Sequence, residues 1–426
     1  MITNLLGPAL EQIRTIPDQS IDLVATSPPF LALRNYNNLD GQWGSEATPA
    51  DFLANLIDLT AEFRRVLAPH GSIAVELGDT YSGSGGSGGD YDPLGMRAGQ
   101  PKTTRSAART RVDGAGGHCN KGSGRPPRPA KGTGWPMRKS LTGVPTLYAW
   151  SLAYGRNLLD PDQTIEPWRI RNLITWARNN PPVGALGDKY RPATSYITVA
   201  TTTRDRWFDL DAVRSPLTEP DRVQRRIKGS SRADGLGRPQ SGIVQNADGA
   251  PPLDHWHDTE ADGDLTWLVN TQGSGLAHYA MWPPKLAERL VLAMCPLEVC
   301  RTCGKPRRRL VDVAPSPVSS EQRAAGAPNG VQGPGAVGFG HRHLTRNATT
   351  TGWSDCGHDN YRPGVVLDPF AGTGTTLAVA DLHGRDAIGI DLDPANQSLH
   401  AARYDEVKQS LFGVAPQLHG QMGLFA

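Results

Sequence analysis

Residues 365–391 read VVLDPFAGTGTTLAVADLHGRDAIGID. A short apolar run, VVLD, is followed by a glycine-rich turn, AGTG. TTLAVADLHG then carries apolar residues at helical spacing, and DAIGID is strand-like again. Strand, tight turn, helix and strand make a βαβ unit, which implies a parallel sheet. Gly372 and Gly374 permit close approach of backbone to a ligand. Asp391, at the end of the second strand, is placed to accept from ribose hydroxyls. Leu377 stands where the third glycine of the dinucleotide fingerprint would be, so the turn points to a nucleoside cofactor without completing that fingerprint.

Far upstream lies a second loop after a strand, in IDLVATSPPF. Ile21, Leu23, Val24 and Ala25 form a short buried run that stops at Ser27-Pro28-Pro29, because two prolines cannot continue a ladder. Such an end leaves carbonyls without ladder partners. Ser27 adds a hydroxyl and Phe30 an aromatic face, a set that can accept hydrogens from an amino group and stack on a planar ring. Alone, Ser-Pro-Pro is also an ordinary loop. Residues 2–30 read as helix then strand, with a helical stripe of Leu6, Ala9, Leu10 and Ile13 ahead of the Ser27 loop. Phe52, Leu53, Leu56, Leu59, Phe63, Val66 and Leu67 predict a helix ended by Pro69 and Gly71, followed by a strand over 71–77. A helix is expected near 146–159, a strand over 195–200, and a helix opened by two prolines over 281–294. Residues 169–178 fit a strand or a helix.

The 426 residues exceed one minimal domain and fit a large α/β domain with insertions, or two to three domains. Forty-eight glycines and 35 prolines concentrate in polar stretches over 82–140, 205–262 and 304–352, expected to be loops. Apolar runs such as Leu290 to Met294 are too short to span a bilayer. The opening MITNLLGPALEQ does not read as a secretory signal. Five cysteines exclude a disulfide scaffold and fit a reducing cytoplasm. Net charge is only +2, yet residues 82–140 hold eleven Lys and Arg against Asp90, Asp92 and Asp113. A basic, glycine-rich insert on a more acidic body points to a polyanion partner.

ATSPPF together with VLDPFAGTGTT closely resembles the S-adenosylmethionine-dependent amino-methyltransferases of DNA. The catalytic loop precedes the cofactor loop here, the permuted motif order of that family's β class. Residues 5–24, 63–81, 169–182, 188–192 and 278–289 are similar to its other blocks. The departures are His70 within a usual Pro-Gly-Gly, Trp282 in place of Phe, and Ile197 in place of an acid. The resemblance implies an α/β, Rossmann-like fold with a mixed, mostly parallel sheet. It implies a catalytic loop of Ser27, Pro28, Pro29 and Phe30. Asp368 would lie near the methionine amino group, Asp391 at the ribose, and Phe370, His278 and Trp282 near the methylthio end. Gly372, Gly374, Thr375 and Thr376 complete the cofactor turn, and Asp79 faces the same cleft or caps a turn. Serine at position 27 favours N-4 methylation of cytosine. N-6 methylation of adenine is the alternative, and an inactive DNA-binding relative a more remote one. The sequence has no Pro-Cys dipeptide of the kind used for covalent attack on cytosine carbon. The expected partner is double-stranded DNA with the target base flipped out, in a prokaryotic or phage-encoded cytoplasmic enzyme that works beside a restriction enzyme, as an orphan regulator or in phage defence.

Cys300-x2-Cys303-Gly is half of a zinc ribbon, and Cys356-Gly-His358 is a candidate second half. Free thiols remain the alternative, with His341 and His343 as rival ligands. The expected segments are 1–81 for the catalytic-loop half, 82–140 for the basic insert and 141–204 for the continued core. Residues 205–264 would hold target recognition, with Arg222, Arg225, Arg226, Lys228 and Arg232 as a basic run. Residues 265–296 would close over the cofactor, 297–360 would bind zinc, and 361–426 would carry the cofactor-binding βαβ unit.

Overall fold

The computed structural model describes residues 1–32, 39, 41–82, 134–178, 190, 192–214, 255–256, 283–315 and 346–413. Its centre is an eight-stranded sheet. In spatial order the strands are β1 (Ile2–Leu6), β12 (Asp386–Asp391), β11 (Val365–Asp368), β2 (Ile21–Thr26), β3 (Leu67–Leu77), β5 (Thr194–Thr201), β4 (Arg169–Ala177) and β6 (His255–Trp256). The first five run parallel, and β5 reverses against both β3 and β4. The sheet is therefore mixed and mostly parallel, as expected.

Helices cover both faces, so the strands are apolar on both sides. On one face lie α1 (Ala9–Ile13), α2 (Pro49–Val66) and α3 (Val144–Tyr154), burying Phe52, Phe63 and Tyr148 against Val24, Ile73 and Val75. On the other lie α4 (Pro284–Met294), α5 (Thr375–Leu382) and α7 (His400–Phe412), which pack Leu286, Leu377 and Val407 toward Leu23 and Ala25. The short α6 (Pro394–Ser398) links β12 to α7. A capping box starts α2: Thr48 Oγ1 accepts from Asp51 N and the Asp51 carboxylate accepts from Thr48 N, both at 3.1 Å.

Three expectations are corrected. Residues 2–6 form a strand rather than a helix: β1 completes the sheet by pairing with β12, and the helix is confined to Ala9–Ile13 after Pro8. β3 begins at Leu67, before Gly71. The low-complexity stretch over 304–352 contains β8 (Arg309–Pro315) and the start of β9 (Arg346–Trp353), paired antiparallel. Residues 169–178, left open between strand and helix, lie on strand β4. Two further strands, β7 (Glu298–Cys300) and β10 (Tyr361–Pro363), pair below that hairpin. Most of the basic insert, the basic run over 222–232, Cys119, His341 and His343 lie outside the described residues. Among the described residues no helix is long and apolar enough to cross a membrane.

Candidate active site

The chain leaves β11 through α5 toward β12 and leaves β2 through α2 toward β3, in opposite directions across the sheet. Between β11 and β2 the strand order therefore switches, and a crevice opens at the carboxyl ends. Register places Val366 beside Leu23 and Leu367 beside Val24. The two loops read from sequence thus leave neighbouring strand ends. Thr26 Oγ1 donates to Asp368 Oδ1 at 2.7 Å, although the residues are 342 apart in the chain. Phe370 N donates to the same oxygen at 3.1 Å. Burial raises the Asp368 carboxyl to about 6, against the opposing bonds from Thr26, Thr376 and Phe370 N.

The cofactor turn is built for close approach. Gly372 and Gly374 have φ of +52° and +83°, in the left-handed region. A Cβ on Gly374 would lie 3.0 Å from the His400 ring. Gly372 N donates to Asp391 Oδ2 at 2.7 Å, while Asp391 Oδ1 accepts from Asp393 N at 2.8 Å and Asn396 Nδ2 at 2.9 Å. His400 Nε2 donates to the Gly372 carbonyl at 2.9 Å. Thr375 and Thr376 are buried: Thr375 accepts from Arg403 Nε at 2.9 Å and Thr376 bonds Asp368. They hold the turn. Phe370 packs on Trp43 with ring centroids 5.1 Å apart.

In the Ser27–Phe30 loop, Ser27 Oγ donates to Glu76 Oε2 at 2.7 Å. Glu76 is 2% exposed on β3. Its other oxygen accepts from Ser195 Oγ at 2.6 Å and Arg178 Nη2 at 3.3 Å. The Arg178 guanidinium lies 4.1 Å from the centre of the Trp176 ring. Ser27 is thus oriented by a buried, paired carboxylate. Phe30 packs on Gly78, where a Cβ would come within 2.6 Å of the ring. Pro28 is buried, and Pro29 half-buried.

Asp79 takes the capping role. Both its oxygens accept from Gly143 N, at 3.2 and 3.0 Å, and one also accepts from Thr80 N at 2.8 Å and from Thr142. It therefore sits on the amino end of α3. Ile197 is a fully buried core residue. His278 and Trp282 lie outside the described residues. Sequence reasoning missed Glu76, Ser195, Arg178 and Trp43, and gave Thr26 no separate role. The one local signal was an acid in an otherwise apolar strand, GSIAVEL.

A crevice at the switch point, a positive-φ glycine turn and an acid at the next strand end are the parts of a nucleoside-cofactor α/β enzyme. The sequence matches the DNA methylase family over residues 21–298 and 360–400, and the chain belongs to that family. As a member it takes S-adenosylmethionine as methyl donor. The Type II methyltransferase M.XycI of Xanthomonas campestris pv. cyanopsidis is 24% identical over 410 residues, 96% of this chain and 89% of that protein. M.Cfr9I of Citrobacter freundii is 29% identical over 287 residues, 67% of this chain and 70% of that protein. Among solved structures, the cytosine-N4-specific PvuII DNA methyltransferase aligns with a TM-score of 0.42 at 13% identity, covering 99% of this chain and 96% of that one.

Proposed function

We propose that this DNA methylase transfers a methyl group to the exocyclic N-4 of a cytosine flipped out of duplex DNA. The observation that carries the reading is the Ser27 hydroxyl at the switch point, held by buried Glu76 at 2.7 Å. Because its proton points at Glu76, the free lone pairs of Ser27 Oγ can accept from an amine. The Pro28 carbonyl offers a second acceptor. An exocyclic amine is a poor nucleophile while its lone pair is delocalised into the ring. Accepting its hydrogens localises that pair and orients it, so positioning and electrostatics supply the catalysis. Phe30 stacks on the extruded base. As the nitrogen gains its methyl it sheds a proton, and the Ser27–Glu76 hydrogen bond offers that proton a path.

The described residues fit the methyl donor. S-adenosylmethionine supplies an electrophilic methyl on a sulfonium centre when bound. The Gly372–Gly374 turn would hold its nucleoside, Asp391 its ribose, Phe370 the region of the sulfur and Asp368 its ammonium group. The decisive experiment is nucleoside mass spectrometry on duplex DNA incubated with the protein and labelled S-adenosylmethionine. The expected product is labelled N-4 methylcytosine, with Ser27→Ala lowering the rate by about 10²–10³-fold. Labelled N-6 methyladenine would overturn the assignment of the base.

A further inference from the structure

Among the described residues one group of metal-ligating side chains, at the end of β7 and before β10, takes no part in the active site. Cys300 ends β7, and Cys303 follows in a tight turn. Gly304, at φ +68°, lets that turn close with Gly304 N donating to the Cys300 carbonyl at 2.9 Å. Backbone N–H groups of Thr302 and Cys303 point at Cys300 Sγ, and that of Lys305 points at Cys303 Sγ. From the other end of the excursion, Cys356 and His358 come back over this turn. Gly357, at φ +79°, makes their bend, with its N–H on Asp355 Oδ1 at 2.8 Å. His358 Nδ1 stands 3.3 Å from Cys356 Sγ and 3.6 Å from Cys300 Sγ. The four ligand atoms all lie within 4.8 Å of one another.

Those separations match a metal rather than a packing contact. A tetrahedral zinc ion with ordinary bond lengths spaces sulfur from nitrogen by about 3.5 Å and sulfur from sulfur by about 3.8 Å. Three thiolates and one imidazole make a closed set with no position left for water, the structural kind of site. The N–H groups aimed at the sulfurs are the outer partners that thiolate ligands require. The Tyr361 hydroxyl, 3.6 Å from Cys356 Sγ, ties the second pair of ligands to β10.

We propose that Cys300, Cys303, Cys356 and His358 (through Nδ1) bind one structural zinc ion that clasps the two ends of the 301–360 excursion. The clasp has a mechanical consequence. Register pairs Tyr361 with Cys300 and Arg362 with Val299. Arg362 in turn holds buried Asp22 at the start of β2, the strand that ends in the catalytic loop. Zinc therefore fixes the β7–β10 base from which the sheet's central strands are tied. The site stands apart from methyl transfer, so its failure and the failure of the proposed reaction are separable.

The test uses the full chain purified without added metal. One equivalent of zinc per chain is expected by elemental analysis. Exchange into cobalt(II) is expected to give the intense thiolate charge-transfer band and the visible bands of a tetrahedral ion. Cys356→Ser and His358→Ala should each weaken retention of the metal at least tenfold in competition with a chromophoric chelator, while Cys295→Ser, a buried thiol outside the cluster, keeps it. Chelation should speed hydrogen exchange over 298–309 and 353–363 and leave 375–391 protected. A wild-type chain that binds neither zinc nor tetrahedral cobalt, or that carries a Cys300–Cys303 disulfide as its stable form, would overturn the proposal.

Discussion

Two buried aspartates on adjacent parallel strands mark opposite edges of the sheet. Asp22, at the start of β2, is 0% exposed, and Asp368, at the end of β11, is 5% exposed. Burial pushes both carboxyls upward. At Asp22 the opposing bonds win: both terminal nitrogens of Arg362, His70 Nε2 at 2.8 Å and Val365 N at 2.7 Å hold it below the usual carboxylate range. At Asp368 the described partners are neutral, the Thr26 and Thr376 hydroxyls and Phe370 N, and burial wins, up to about 6. The difference lies in the partners: Asp22 has the His70 ring and the Arg362 guanidinium against it, while Asp368 has neutral donors and the Asp391 carboxylate nearby, which pushes it further up. The edge away from the site carries its own cation, in Arg362. Among the described residues the edge that forms the site gives Asp368 no cation, a condition that suits a cationic ligand group.

Breaking the first half of this contrast should have the largest effect. Asp22→Asn leaves Arg362 without its charge partner and is expected to remove about 3–5 kcal/mol of stability in urea unfolding. The folded fraction should still bind S-adenosylmethionine with unchanged affinity. Asp368→Asn should do the reverse. The raised carboxyl means that the folded protein holds its proton more tightly than the unfolded chain, so ionisation above about pH 6 works against stability. Asparagine removes that opposition, and unfolding at neutral pH should be unchanged or harder. Affinity for S-adenosylmethionine should instead fall about 100-fold by calorimetry, the loss of a charge-assisted hydrogen bond. Equal affinity in wild type and variant would end the argument that Asp368 awaits a cation.

A pH series sharpens the same point with a smaller effect. In the proposed placement, the ammonium group of S-adenosylmethionine needs the ionised carboxylate. Cofactor affinity of the wild type should therefore be flat above about pH 6 and decline up to tenfold per unit below it. Asp368→Asn should lack that dependence.

The comparison also explains what could be read in the chain. Asp368, Gly372, Gly374 and Asp391 were legible because one short stretch contains a whole βαβ unit, and its chemistry is local. Ser27 was legible from the proline stop after a buried run. Glu76 was not, because a single acid in a strand has no meaning until Ser195 arrives from β5 and Ser27 from β2. Asp22 was hidden in the same way, since Arg362 lies 340 residues away. β1 was misread because an edge strand pairs on one side, and ITNLL offers no buried run to announce it. Asp79 was open between facing the cleft and capping a turn, and only the fold shows its oxygens engaged by the end of α3.

The smallest expected effect probes how tightly the catalytic edge is packed. Gly78 follows β3 and lies against the Phe30 ring, so an alanine methyl there would meet ring carbons at 2.6 Å. Ring and methyl cannot both keep their places. Either the backbone after Leu77 shifts, at about 1–3 kcal/mol of stability, or Phe30 turns away. The second is easier because Phe30 is only half-buried. A turned Phe30 spares Ser27, Glu76 and the glycine turn and removes the face proposed to stack on the target base. Gly78→Ala is therefore expected to leave S-adenosylmethionine affinity unchanged and to raise KM for DNA by about three- to tenfold, the scale of a stacking loss of about 1 kcal/mol. Substituting Phe30→Leu in the same background should add little, since both changes remove one interaction. Full additivity of the two would show that Phe30 and Gly78 act independently and that the ring does not owe its position to the missing side chain.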